Sequence, residues 1–349
     1  MTKTNSIKIG IAGFGIVGKK RRACIDTNPN YQLISVCDQK FDGSGIMEDG
    51  VNFHQNYKKL IEDELDAVLV CMSNDMASEV TIAALRKGLH VFCEKPPGRS
   101  VKEVIDVVDA EKENPSLKLM YGFNHRYHDS VEDALEILNS GELGAVINIR
   151  GMYGKAKLIT FNQPDWRTKR DISGGGVLLD QGIHMVDLIR LFGGEFKNVQ
   201  SYISNDHWGY DVEDNAYAIM KSDDGVVAML NSSATQWRHR FHLDINLEKG
   251  SLILGGLLTG TKSYGSETLS VVQADPDHDM GDPKEITTQY NKDHSWDKEM
   301  RLFAKSILED EKVVSGSSTD ALETMKLVFR IYYNDPEWRD SYNIYNPDI

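Results

Sequence analysis

A glycine-rich turn near the N-terminus constrains the fold of this chain more than any other feature. It follows the apolar run Ile7–Ala12, precedes a helix-like segment, and reads Gly13-Phe14-Gly15-Ile16-Val17-Gly18. In such a turn the first glycine permits a tight bend, the second lets the backbone approach a pyrophosphate, and the third allows close packing of helix on strand. Because the helix N-terminus also offers N–H groups to an anion, the turn predicts a dinucleotide site formed by these residues.

Asp38 supports the same interpretation and indicates which dinucleotide is used. It ends the second apolar run, 20 residues after Gly18, which is the spacing at which a carboxylate accepts hydrogen bonds from the adenosine ribose. A carboxylate there also repels the 2′-phosphate of NADP, so NAD is expected and NADP is the alternative. The basic run 19–22 argues the other way, but most of such a run on a helix is expected to face solvent. The competing interpretation is a structural glycine turn with an aspartate that caps a strand.

Alternating apolar runs and amphipathic stretches predict the architecture of the first part of the chain. After Ile7–Ala12, strand-like runs occur at 33–37, 67–72, 90–93 and 118–123. Helix-like segments separate them, and one begins at Ser100 with Glu103 placed for a capping box. Strands that alternate with helices in this way indicate a parallel sheet covered on both faces.

The pattern changes after about residue 145. Strand-like segments at 198–204, 215–221, 226–232, 241–247 and 269–273 are joined by turns such as Asp223-Asp224-Gly225, and helix-like segments follow at 296–308 and 319–332. The predicted fold is therefore α/β, with an N-terminal doubly wound (Rossmann) parallel sheet and a C-terminal α+β domain on a mostly antiparallel open sheet. The predicted domains are 1–125, which binds the dinucleotide, and 126–349, which binds substrate and whose last segment is able to pack back on the first.

Composition excludes several classes of protein. The 349 residues contain 39 Lys+Arg and 53 Asp+Glu, a formal net charge of −14. This balance argues against nucleic-acid binding, which needs Lys and Arg for the phosphates, and against a basic membrane-surface protein. The four cysteines all lie in the first third of the chain and fit buried hydrophobes in a reducing compartment, so a cytoplasmic protein is expected. No group of residues has zinc-site spacing, and no metal is predicted.

Polar residues follow two of the predicted parallel strands. The third strand ends in Cys71-Met72-Ser73-Asn74, and the fourth continues into Glu94-Lys95-Pro96. In a doubly wound sheet, ligands bind at the carboxyl ends of the strands. Ser73, Asn74, Glu94 and Lys95 are therefore predicted to contact the cofactor, with Lys95 beside its nicotinamide half.

A triple glycine precedes a second polar pair. Gly174-Gly175-Gly176 is followed by Asp180 and His184, which are four residues apart. If a helix follows the glycines, the two side chains lie on one face, one turn apart. The alternative for His184 is an ordinary buried histidine.

Taken together, these segments resemble the glucose–fructose oxidoreductase / inositol dehydrogenase / rhizopine-catabolism (Gfo/Idh/MocA) family of NAD(P)-dependent oxidoreductases. The resemblance also rests on Gly122-Phe123-Asn124-His125-Arg126 and on Trp166-Arg167. It implies hydride transfer to or from a secondary alcohol carbon of a sugar, a cyclitol or a nucleotide-linked sugar, and a homodimer or homotetramer formed through the C-terminal sheet. In one departure, Ala77 stands where the family usually has a histidine after the third strand.

The resemblance also implies roles for individual residues. Lys95 and His184 match the catalytic lysine and histidine, and Asp180 matches their acidic partner. A histidine, with a pKa near about 6.5, suits a base that takes the hydroxyl proton while hydride leaves, and a lysine cation stabilises the alkoxide. The expected substrate contacts are Lys95, Asn124, Arg126, Trp166, Arg167, Asp180 and His184.

Two other functions and one unassigned cluster remain open at this stage. The first alternative is a glycoside hydrolase that uses NAD for transient oxidation, and the second is a non-catalytic NAD-binding regulator, which would need only the glycine turn. The basic cluster containing Arg238 and Arg240 fits either a grip on a substrate phosphate or carboxylate or a subunit interface.

Overall fold

The computed structural model describes residues 6–159 and 165–349, which form two compact units. The first unit contains the chain up to Asn124 together with a later segment, Trp296–Glu323. The second consists of His125–Ser295 and Thr324–Ile349. Among the described residues, no helix combines the length and the apolar character that crossing a membrane requires.

The first unit is built on a seven-stranded sheet whose strand order is β3-β4-β2-β1-β5-β6-β7. All neighbouring pairs are parallel except β3 with β4. The Rossmann prediction is confirmed, although the two short strands β3 and β4 were not predicted. The strands are β1 (Ile7–Ala12), β2 (Tyr31–Cys37), β3 (Ser44–Ile46), β4 (Asn52–His54), β5 (Ala67–Val70), β6 (His90–Glu94) and β7 (Leu119–Gly122).

Four helices connect these strands: α1 (Ile16–Asp26), α2 (Tyr57–Leu60), α3 (Asn74–Arg86) and α4 (Val101–Glu113). Ser100 caps α4 as predicted, since its Oγ accepts the N–H of Glu103 at 3.3 Å. The Glu103 carboxylate accepts the N–H of Arg99 at 2.7 Å, one residue before the partner that a capping box would use. The start of α4, after Lys95 and its prolines, is thereby held by side chains.

The second unit is built on an eight-stranded sheet of order β15-β14-β13-β12-β8-β11-β10-β9. The pair of β8 and β11 is parallel, and the other neighbouring pairs are antiparallel. This confirms the mostly antiparallel sheet, but β8, β13 and β15 were not predicted. The strands are β8 (Val146–Gly154), β9 (Phe196–Ser204), β10 (Asn215–Ser222), β11 (Val227–Ser233), β12 (Arg240–Leu247), β13 (Gly250–Gly255), β14 (Glu267–Gln273) and β15 (Lys284–Tyr290).

One face of this sheet is covered and the other is open. On the covered face α7 packs on β8 so closely that a Cβ at Gly151 would lie 2.7 Å from Met185 Sδ. On the open face, Tyr202, Tyr217, Ile219 and Met229 are exposed.

The remaining helices are α5 (Asp129–Ser140), α6 (Arg170–Ser173), α7 (Ile183–Gly193), α8 (Ser295–Leu308), α9 (Ser318–Tyr333) and α10 (Pro336–Tyr342).

Candidate active site

The glycine turn has the geometry that a bound pyrophosphate requires. Gly13 has φ +95°, and a Cβ there would lie 2.4 Å from Cys71 O. A Cβ on Gly18 would lie 2.0 Å from Gly13 O, whereas a Cβ on Gly15 would meet nothing within 4 Å. The first and third glycines are therefore required by backbone contacts, and the second leaves open space beside the first turn of α1. Since α1 has no side-chain cap at Gly15, its N-terminal N–H groups can bind an anion.

Asp38 follows β2 and has one structural contact. Its Oδ1 accepts the N–H of Lys40 at 3.0 Å, which caps the turn after the strand. Among the described residues, its other carboxylate oxygen accepts no hydrogen bond. Asp38 thus has the turn-capping role of the competing interpretation, and it also keeps one oxygen available to a ribose hydroxyl.

Two further predicted cofactor residues begin α3. Ser73 is the N-cap residue, with no side-chain capping bond, and Asn74 is the first helical residue and is buried. Ala77 is also buried, within the first two turns of the helix. The position where the family usually has a histidine is therefore occupied here by a small apolar side chain in the core.

The segment that carries Lys95 is held by a buried ion cluster. Glu94 ends β6, and the Lys95–Pro96 peptide bond is cis. The Arg21 guanidinium donates to Glu94 Oε1 at 2.6 Å and to Glu299 Oε2 at 2.7 Å. These contacts join α1, the end of β6 and α8 within the first unit. We call Arg21, Glu94 and Glu299 the Arg21 cluster.

Arg21 is the buried exception in the basic run 19–22, most of which was expected to face solvent. Lys19 and Lys20 are exposed, but Arg21 is fully buried and lies over the rings of Phe92 and Trp296, 4.4 and 4.2 Å from their centroids. Burial opposes its charge, yet the two carboxylates hold the pKa of Arg21 above its ordinary value. The missed signal is helical spacing, because the buried residues of α1 are Gly18, Arg21 and Ile25.

Asp180 and His184 lie at the start of α7, but the segment between them is not a regular α-helix. Residues Leu178–Gly182 form a π-helical turn, and α7 begins at Ile183. The expectation that the two side chains share one face was conditional on a helix after the glycines. Just before and at the start of this turn, the buried carboxylate of Glu213 accepts the N–H groups of Gly176 and Leu178 at 2.7 and 2.9 Å.

Asp180 lies between two cations. Its Oδ2 is 3.1 Å from Lys155 Nζ, and its Oδ1 is 3.2 Å from Arg167 Nε. Arg167 in turn lies over the ring of Trp166, at 4.4 Å from the centroid. The structure therefore joins Asp180, Trp166 and Arg167, which the sequence had selected, and adds Lys155, which it had not. We call Lys155, Arg167 and Asp180 the Asp180 cluster.

His184 is buried and stacks on a second histidine. The rings of His184 and His125 are 3.7 Å apart with an interplanar angle of 13°. His125 Nε2 is 3.1 Å from the hydroxyl of Tyr153, and burial raises the pKa of Tyr153 well above its ordinary value. His125 stood within the quoted motif but was not assigned to the site. Its stacking restricts the orientation of the His184 ring.

Behind these rings, a histidine contacts a glutamate. His128 Nδ1 is 2.8 Å from Glu267 Oε2, and both side chains are buried. Burial alone would raise the pKa of Glu267, but hydrogen bonds from His128 and Ser130 hold it below its ordinary value. The pair stabilises the start of α5 against β14.

Arg126 and Asn124 have different surroundings from those expected of exposed substrate contacts. Arg126 forms two hydrogen bonds of 2.7 Å with the Asp187 carboxylate, and both residues are buried. Asn124 begins a single 3-10 turn after β7 and is also buried. Their contact with substrate stays a prediction.

The cluster around Arg238 and Arg240 is exposed at the start of β12, and its role stays open.

Two family models match the chain. The oxidoreductase family with an NAD-binding Rossmann fold, GFO/IDH/MocA, matches residues 7–123, and the GFO/IDH/MocA C-terminal domain matches residues 131–253. The chain belongs to the Gfo/Idh/MocA family. The resemblance seen in the sequence is thus confirmed, as are the NAD-binding domain and the classification as a dehydrogenase.

Named Gfo/Idh/MocA dehydrogenases are similar to the chain in sequence and in fold. It is 26% identical to levoglucosan dehydrogenase of Pseudarthrobacter phenanthrenivorans over 57% of this chain and 54% of that protein, so the match spans about half of that relative. It is 25% identical to inositol 2-dehydrogenase of Salmonella typhimurium over 70% of this chain and 73% of that one. The solved structure of levoglucosan dehydrogenase in complex with NADH has a TM-score of 0.81 at 20% identity, covering 96% and 98% of the two chains.

The part of the chain that the structure describes contains no group of three or more His, Cys, Asp or Glu residues placed to hold a metal ion. The catalytic roles of Lys95, Asp180 and His184 stay predictions.

Proposed function

We propose that the protein is an NAD-dependent dehydrogenase that oxidises or forms a secondary alcohol of a sugar, a cyclitol or a nucleotide-linked sugar. The observation that carries the proposal is the environment of Asp180 and His184. Two cations contact Asp180 in the π-helical turn before α7, and the imidazole of His125 stacks on His184 in the first turn of α7. A structural histidine would need no such arrangement beside a charged cluster.

Each side chain has a separate role in this proposal. His184 accepts the proton of the substrate hydroxyl, and the stacked His125 keeps its ring in one orientation. The Lys95 ammonium stabilises the negative charge that develops on the oxygen. Asp180 holds a neighbouring hydroxyl. Bound NAD supplies the acceptor of the hydride, and in the reverse direction His184 returns the proton to the carbonyl oxygen.

Variants of Lys95 and His184 test this assignment. The purified protein is screened with NAD and NADP separately against free sugars, nucleotide-linked sugars and cyclitols, and NADH is followed by absorbance. Lys95→Met and His184→Ala should each lower kcat by about 100-fold or more, because each removes a group that acts in the transition state. His278→Ala, at an exposed histidine, should leave kcat unchanged.

Two outcomes would contradict the assignment. Near wild-type rates in both variants, with unchanged cofactor affinity, would show that the catalytic groups lie elsewhere. Release of a sugar from a glycoside without accumulation of NADH would indicate transient oxidation in a hydrolase.

We propose that Asp38 makes NAD the preferred cofactor. Its free carboxylate oxygen can accept a ribose hydroxyl and would repel a 2′-phosphate. Asp38→Ser should lower kcat/KM for NAD and raise it for NADP, so that their ratio falls by about 10-fold or more. A wild-type enzyme that used both cofactors equally would contradict the proposal.

We propose that the open face of the second sheet forms a homodimer or homotetramer. Tyr202 is 82% exposed on this face, and Tyr217, Ile219 and Met229 are each at least half exposed. A contiguous apolar surface of this kind marks an interaction site. Sedimentation should show an oligomer, and the double variant Ile219→Glu, Met229→Glu should shift it towards monomer. A monomeric wild-type protein would contradict the proposal.

We also propose that the protein acts in the cytoplasm. Cys24, Cys37, Cys71 and Cys93 are all free thiols, and burial raises the pKa of each, as expected for cysteines that pack as small hydrophobes. Fractionation of cells that produce the protein would test this location. Recovery from a secreted or envelope fraction would contradict it.

A further inference from the structure

Lys155 is a buried lysine beside Asp180 that the proposed mechanism does not use. It directly follows β8, and its backbone is held on both sides: its N–H donates to Ser233 O at 2.8 Å, and its carbonyl accepts the N–H of Gln236 at 2.9 Å. Only 5% of the residue is exposed, while its Nζ lies 3.1 Å from Asp180 Oδ2. The Lys155 ammonium therefore lies inside this cluster on a buried residue with a fixed backbone, and does not extend into it from the surface.

The charges of the Asp180 cluster do not balance. Lys155 and Arg167 bind different oxygens of the same carboxylate, so two cations share one anion. Among the residues that the structure describes, neither cation has a second ion-pair partner. The sequence between residues 159 and 165 contains no Asp or Glu. One positive charge is left without a counter-charge.

Other buried cations of the second unit are neutralised in pairs. Arg126 has its own carboxylate in Asp187, with two hydrogen bonds of 2.7 Å, and Arg330 pairs with Asp348. Because burying an unpaired charge is costly, a cation in excess needs another reason to be kept. A negative charge brought by a ligand supplies that reason.

We propose that Lys155, together with Arg167, binds an anionic substituent of the substrate, either a carboxylate or a phosphate. The inference rests on the proposed function, since the anion is recognised beside the Asp180–His184 pair. An ammonium has three donors and a guanidinium has five, so both retain donors after binding Asp180. A neutral polyol could accept these hydrogen bonds, but it would leave the extra charge unbalanced.

Matched substrates test the inference. Initial rates at fixed NAD are measured with a hexose, the corresponding hexuronate and the corresponding hexose 6-phosphate. In the wild-type protein, kcat/KM for one of the two anionic sugars should exceed that for the hexose by about 10-fold or more. The two anionic arms then distinguish a carboxylate from a phosphate.

Substitution of Lys155 makes the test specific. In Lys155→Met, the ratio of kcat/KM between the preferred anionic sugar and the hexose should fall by about 10- to 100-fold, because a charge-assisted hydrogen bond is lost. Lys155→Arg should retain most of the ratio. Lys157→Met is the matched control, since Lys157 is an exposed lysine two residues further on and its loss should leave the ratio unchanged.

Several outcomes would overturn the inference. Equal kcat/KM for the neutral and anionic sugars in the wild-type protein would do so, as would an equal loss for all three sugars in Lys155→Met. If Lys155→Met fails to fold, Lys155→Gln replaces it, and if neither folds the wild-type ratio decides. Turnover of neutral sugars without an anionic preference defeats this inference alone, whereas no NAD reduction with any sugar or cyclitol defeats the proposed function as well.

Discussion

The Arg21 cluster and the Asp180 cluster have opposite ratios of cations to carboxylates. The Arg21 cluster has one cation for two carboxylates, and the side chains of Arg21 and Glu299 are completely buried. The Asp180 cluster has two cations for one carboxylate, and Asp180 and Arg167 remain about one sixth exposed. Glu94, the third member of the Arg21 cluster, is 11% exposed. The Arg21 cluster is thus the more buried of the two, and the more exposed Asp180 cluster is better placed to act on a ligand.

The positions of the clusters agree with this difference. Arg21 joins the helix after the glycine turn to Glu94, the residue directly before Lys95, and to Glu299 on α8. It therefore fixes the segment that carries Lys95 relative to the turn. Asp180, in contrast, lies on the π-helical turn that precedes His184, and π-turns are frequent at functional sites. The first cluster is expected to decide stability, and the second to decide activity.

The largest effect on stability is expected from removing the cation of the Arg21 cluster. Arg21→Met removes the buried cation that pairs with Glu94 and Glu299, so the free energy of unfolding should fall by about 3–5 kcal/mol. Urea titration measures the loss. Lys19→Met, at an exposed residue of the same helix, should change it by less than about 0.5 kcal/mol.

A loss in Arg21→Met below about 1 kcal/mol at neutral pH would place the Arg21 cluster with ordinary surface pairs and would break the comparison.

A smaller loss of stability is expected from neutralising the carboxylate of the Asp180 cluster. Asp180→Asn leaves Lys155 and Arg167 close together around a neutral amide, but the partial exposure of Arg167 and Asp180 limits the cost to about 1–3 kcal/mol. Asp165→Asn, at an exposed residue nearby, is the control for the same chemical change. Urea titration of both variants should therefore give a loss for Asp180→Asn that lies between those of Asp165→Asn and Arg21→Met. A loss as large as that of Arg21→Met would show that the Asp180 cluster is also mainly structural.

The smallest effect concerns the one-to-one pair of His128 and Glu267. The pKa of Glu267 is held below its ordinary value of 4.5 in the folded protein. Its contribution to stability is therefore complete above about pH 4.5 and is lost as the pH falls through the folded pKa. Urea titrations between pH 7 and pH 3.5 should show a weaker dependence on pH in Glu267→Gln than in the wild-type protein. Parallel curves would contradict the assignment.

Local features of the sequence were sufficient for most of the first sheet and for the glycine turn. The bounds of β1 agree with the predicted run, and the three glycines have the separate steric roles that their spacing implied. Such features are readable because a turn and the strand before it are formed by neighbouring residues. Five strands were missed: β3 and β4 have only three residues each, and β15 has no buried residue, whereas β8 and β13 do contain buried residues.

The sequence by itself determined the fold class, the family and the identities of Lys95, Asp180 and His184 as candidates. Only the tertiary structure decided which charges meet. Arg21 and Glu299 are 278 residues apart, Lys155 and Asp180 are 25 apart, and Glu213 accepts the N–H of Gly176 from 37 residues away. A buried charge is stable only where packing brings it a partner and excludes water, and that depends on the whole chain. Residue type and spacing can select a charged residue, but they do not specify its partner.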